Sequence, residues 1–261
     1  MIQGVLAAAL AAGRPCLGMG AERGVMTPEL WEEWRKNLRW MEALVRQRGW
    51  DLTPLKIDPP DPAAVARIEA EHGLKVPPQL RELLTNYSAR VRFGWWMPSH
   101  LMPEEEPGEF PLPYAGGLRD AIWDAGHISE YAIPNFLGWR KLLAHREDSE
   151  EPNRPEMWEN QFPIADLNNG DMLTIDISSP EEPCPVRYLS HELEGLHGRA
   201  LAPDFIAFVT EYSRLGCAGV EHDGWFGLVE ELDDNRHYLS STGPGARRWF
   251  DWLKDGPRKN P

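Results

Sequence analysis

The densest run of residues able to do chemistry is SHELEGLH, residues 190–197, which holds His191, Glu192 and His197. A zinc protease places two histidines four residues apart on one helix, so that both imidazoles face one ion. Here the histidines are six apart and Gly195 interrupts them, so the run reads as a solvated loop and no metal is assigned. His222 and Asp223 form a second pair with no third ligand nearby and read as surface. Cys184 lies between Pro183 and Pro185, which would expose a thiol, but no window supplies the base and oxyanion donors that a nucleophile needs. Asp166, Asp171 and Asp176 surround one turn and suit a cation in principle, although an Asp beside a turn more often caps backbone donors. The glycines at 116, 117, 243 and 245 lack the strand-turn-helix spacing of a phosphate cradle. Catalytic residues, metal and cofactor are accordingly all expected to be none.

Composition narrows the classes further. Lys and Arg number 27 against 41 Asp and Glu, a net charge of -14, which repels phosphate backbones and anionic lipid and leaves direct nucleic-acid and membrane binding unexpected. The same charge would favour encounter with a basic protein, although it serves solubility equally well. Three cysteines, Cys16, Cys184 and Cys217, make no disulfide framework and suit a reducing cytosol. The twelve tryptophans are many for 261 residues. Trp95 and Trp96 adjoin on an expected strand, so their rings must point to opposite faces. One belongs to the core; the other is covered by terminal helices or offered to a partner, since Trp anchors interfaces.

The elements that would position these residues can be read in order. Residues 1–26 are expected to be a disordered leader. Thr27 and Pro28 cap and open an amphipathic helix with Trp31, Trp34, Leu38, Met41 and Val45 on one side, ended by Gly49. TPLKIDPPDP, with four prolines, reads as a linker, so residues 27–57 form an added helix and a Pro-rich connection. Asp61 caps a second helix carrying Val65 and Ile68 and closed by Gly73; after Pro77 and Pro78 a third carries Leu80, Leu83, Leu84 and Tyr87. VRFGWWM reads as a strand, and residues 98–113 as a Pro- and Glu-rich excursion. Residues 118–146 are expected to be helical, with Phe136, Leu137, Leu142 and Leu143 buried. FPIAD and MLTIDIS flank an Asn169-Gly170 turn as a hairpin over 162–178, and PVRYL extends the sheet. Pro203 introduces a helix with Phe205, Phe208, Val209 and Tyr212 on one face. GWFGLVEEL reads as a strand or docked segment, and residues 245–253 as a final helix. The sum is an α+β chain: a mainly antiparallel sheet with helices packed on one face, plus extra helices at both ends.

This order resembles the SUKH superfamily, the Smi/Knr-like cell-wall-regulator and bacterial immunity-protein domain. Three stretches carry the resemblance: DPAAVARIEAEHGLKVPPQLRELLTNYS, FPIADLNNGDMLTIDIS, and PVRYLSHE followed by ALAPDFIAFVTEYSRL. They span residues 58–216, with 217–261 as a C-terminal extension. Val76 stands where the family often has Leu, and the 98–113 excursion is an addition. The resemblance implies a non-enzymatic binding scaffold, in bacteria an immunity protein that neutralises a cognate toxin, with a fungal-style regulatory adaptor as the alternative. A basic, nuclease-like toxin would suit the charge. The residues expected to meet it are the acidic loop positions Glu104, Glu105, Glu106, Asp166, Asp171, Glu181 and Glu182, with Trp95 or Trp96 as anchor.

Overall fold

The computed structural model describes residues 24–101, 112–118, 121–144, 155–179, 184–192, 196–219 and 225–255. Helix α1 (Pro28–Arg48) starts where Thr27 accepts the Leu30 amide proton and stops at Gly49, whose φ of 70° is left-handed. It buries Trp34, Leu38, Met41, Leu44 and Val45. Helices α2 (Pro62–His72) and α3 (Pro78–Asn86) follow as expected, with Asp61 capping the first and Gly73 ending it at φ 67°. Val65, Ile68, Leu80, Leu83 and Leu84 form their inner faces.

Two sheets follow, where one was expected. Strand β2 (Arg90–Trp96) is the centre of the first, paired antiparallel with β1 (Asp51–Ile57) on one side and with β3 (Ala115–Gly116) and β4 (Ala121–Asp124) on the other. Strand β1 corrects the linker expected there. Pro54, which has no N–H to give to a ladder, sits where the β1–β2 register shifts between Thr53 and Lys56, on an edge strand. A second correction falls at β4: its residues Ile122 and Trp123 are buried in a strand, and helix begins only after it. A short turn (Ala125–His127) and one π turn (Ile128–Ala132) then lead into α4 (Ile133–Ala144).

The second sheet runs in the order β5 (Gln161–Asp166), β6 (Met172–Asp176), β7 (Val186–Leu189), β8 (Ala200–Ala202), β10 (Arg236–Leu239), β9 (Val229–Asp233). All neighbours are antiparallel except β8 with β10. Helix α5 (Phe205–Arg214), capped by Asp204, and α6 (Pro244–Asp255) complete the described elements. The expected α+β class holds: helices and mostly antiparallel strands bury one large core, with a smaller cluster beneath α4.

The tryptophans explain how α1 and α6 join that core. In β2, Val91, Phe93 and Trp95 face inward at alternate positions, and Met97 is buried just past its end. Trp95 stacks on Trp249 of α6, with ring centroids 5.8 Å apart and planes 8° from parallel, and lies 5.5 Å from Trp50. Indole N–H groups then satisfy the loop after α5: Trp249 donates to the Leu215 carbonyl at 3.1 Å, Trp95 to Gly216 at 2.8 Å and Trp225 to Ala218 at 3.1 Å. Buried carbonyls without such partners would be costly. At the other end, Gly24 donates to Asp204 and accepts from Gln79, and Met26 is buried, so Gly24 to Met26 belong to the fold. The rest of the expected leader, residues 1–23, lies outside the described residues. Among the described residues no helix is long and apolar enough to cross a membrane.

Candidate functional site

The hairpin β5–β6 is held at its tip by its own turn. The Leu167 amide donates to the Asp171 carbonyl at 2.7 Å, the Gly170 amide donates to Leu167 at 3.0 Å, and Gly170 takes φ 92°, which a side chain would resist. Just past this turn the Asp171 carboxylate faces inward, where it is 1% exposed. It accepts from the His191 amide at 2.9 Å, His191 Nδ1 at 2.8 Å, Asn169 Nδ2 at 2.7 Å and the Tyr188 hydroxyl. A carboxylate offers no proton, so these four donors place the His191 ring proton on Nδ1 and fix strand β7 and its loop to the hairpin.

Asp166, at the other end of the turn, is 2% exposed and accepts from His127 Nε2 and from Asn135 Nδ2 at 2.8 Å. It therefore binds the hairpin to the helical segment above. The two histidines continue into aromatic contacts: His127 stacks on Tyr131 at 5.3 Å, and His191 lies 4.8 Å from Trp139. The inner face of that segment, Ala132, Phe136 and Leu143, packs with Trp158, Met172 and Leu189. Its outer face leaves Tyr131 53%, Leu137 42% and Leu142 59% exposed. Tyr131 in the π turn and Leu137 and Leu142 in α4 are apolar side chains exposed along a segment that Asp166 ties to the hairpin, with Pro134, Gly138 and Lys141 exposed among them, a mixture that a protein-binding surface can use.

Chemistry at this place is thus positional. Among the described residues no group of three or more His, Cys, Asp or Glu stands close enough to share a metal ion. His191 and His197, the pair singled out by spacing, have separate duties, the second accepting the Ser190 amide proton on Nδ1 at 3.1 Å. Asp176 serves a different end of the sheet, accepting from Ser178 and from Arg187 Nε at 2.8 Å. Burial would raise its carboxyl, but the Ser178 hydrogen bonds and Arg187 outweigh that and hold it below the ordinary range. This ion pair closes one wall of a cavity of about 290 Å³ lined also by Met157, Glu159, Asn160, Gln161 and Asn235. Cys217 is enclosed, and burial pushes its thiol well above the usual range, away from thiolate chemistry.

Several residues expected to touch a partner stand elsewhere. Trp95 is fully interior, Asp166 spends its carboxylate on His127 and Asn135 of the helical segment, and Asp171 spends its own on the turn and the β7 side, so these buried groups turn away from the surface. Trp96, on the opposite face of β2, is half-buried against the core. Glu104, Glu105, Glu106, Glu181 and Glu182, like His222 and Asp223, fall outside the described residues. Tyr131, Leu137 and Leu142 were missed. Leu137 and Leu142 had been placed inside, yet helical phase separates them from Ala132, Phe136 and Leu143, which recur at steps of four, then seven.

Comparison with known proteins adds one finding. The family model described as SMI1 / KNR4 family (SUKH-1) matches residues 59–211, more than half of the chain, from just before α2 into α5. The hairpin, α4 and His191 lie inside the match; α1, β1, β9, β10 and α6 lie outside it. No curated protein and no solved structure matches the chain.

Proposed function

Because the chain belongs to the SMI1 / KNR4 family (SUKH-1), we propose that it is a non-enzymatic protein-binding module, acting in the cytoplasm as an immunity protein that occludes the active site of a cognate toxin. The observation that carries the choice of surface is the outward side of the segment running from the π turn through α4, with Tyr131 exposed on the former and Leu137 and Leu142 on the latter, beside the hairpin that Asp166 and Asp171 lock. A preformed apolar face loses little side-chain freedom on binding, which favours tight association. By charge alone, Glu104 to Glu106 and Glu181 to Glu182 would favour encounter with a basic toxin, with Trp96 as a further contact.

The test is co-expression with the product of a neighbouring toxin gene, followed by affinity measurement. Exchanging Tyr131 and Leu142 together for Lys is expected to abolish protection and weaken binding at least about tenfold, with the circular dichroism unchanged, since both side chains are exposed. Full protection by that variant would move the interface off α4. Capture of an endogenous regulator, with no toxin gene adjacent, would replace the immunity role by the adaptor role.

A further inference from the structure

The two ends of the six-stranded sheet are treated differently. At one end every residue of β5 is buried beneath the helical segment. At the other, β9 pairs with β10 on one side only, and among the described residues no strand pairs with its outer edge. Its last three residues are exposed, including Leu232 at 52%. An edge strand presents a row of backbone N–H and C=O groups able to pair with another extended chain. The side chains restrict which chain. Glu230, Glu231, Asp233 and Asp234 crowd residues 229–234, while the cation opposite, Arg236, is already paired with Asp233.

We infer that the outer edge of β9 takes up an extended, basic segment of a partner protein as an added strand, with Lys or Arg set against Glu231 on one face of the sheet and an apolar residue against Leu232 on the other. Backbone pairing supplies the attraction common to all strands, and cross-strand charge supplies the selection. A second copy of this chain is excluded as occupant because it would bring carboxylates against carboxylates. Phosphate-bearing partners are repelled for the same reason. The strand lies outside the residues that the family model matches and away from α4, so this proposal is independent of the α4 surface and of the immunity role.

The experiment uses the full chain and two capped synthetic peptides of equal length and charge, one alternating Lys and Val, the other with Pro replacing every second Val so that it cannot form a strand. Binding is followed by fluorescence anisotropy and backbone amide exchange. The expected result is binding of the Lys-Val peptide, slower exchange confined to residues 229–233, and at least about tenfold weaker binding by Glu231→Lys and by Leu232→Lys. Both side chains are exposed, so the fold tolerates either change. Equal binding of the Pro-containing peptide would reduce the surface to charge attraction and overturn the inference. So would no binding, protection elsewhere in the chain, or protection that rises with protein concentration without peptide. Loss of toxin protection in the α4 variant would leave this result untouched.

Discussion

Asp171 shows how one buried carboxylate organises its surroundings. Four donors converge on it from the turn, β7 and the following loop. Asp171→Ala strands buried donors and is expected to cost about 3 kcal/mol in urea denaturation, whereas Tyr188→Phe, which removes one donor and leaves the carboxylate three, is expected to cost about 1 kcal/mol. Equal losses would mean that the Tyr188 hydroxyl alone carries the carboxylate's contribution and that the other three donors find water instead. Sequence placed Asp171 beside a turn correctly, because Asn-Gly fixes turn chemistry locally. It misjudged the direction of the side chain: inward orientation depends on Tyr188 and His191, 17 and 20 positions away.

At the scale of elements, the helices with complete end signals were legible. Thr27 with Gly49 and Asp61 with Gly73 bracket α1 and α2 as their types predict, since caps act within a turn of their residue. Strands β1 and β4 were not, because each exists by pairing with β2 and carries a residue, Pro54 or Asp124, that argues locally against a strand. The same non-local control governs β3. A Cβ on Gly116 would stand 2.2 Å from Trp95 Nε1 and 2.5 Å from the Cys217 carbonyl oxygen. Gly116→Ala is therefore expected to part β3 from β2 and lower stability by about 2 kcal/mol or more, visible as an earlier thermal transition. An unchanged midpoint would show that β3 can shift away freely.

Over the whole molecule, the aromatic residues make one interior. From Trp34 on α1 contacts pass through Trp123 to Phe205, Phe208 and Tyr212 on α5, then to Trp225 and Tyr188, which ends on Asp171. Trp95, Trp249, Trp50 and Trp252 form a second stack beneath α6. Trp249→Ala removes a fully buried ring and is expected to cost about 3–5 kcal/mol while unfolding remains a single step, with tryptophan fluorescence and circular dichroism coinciding. Separated transitions would instead make α6 an independent unit. The sequence by itself determined the family, the α+β class, the capped helices, the Asn-Gly hairpin and the acidic character, because each rests on local patterning or on composition. Tertiary structure alone decided that Trp95 is core, that Asp166 and Asp171 face inward, and that Leu137 and Leu142 face out. It also decided that β9 ends a sheet. Burial is set by which distant surface an element meets, and no local spacing carries that information.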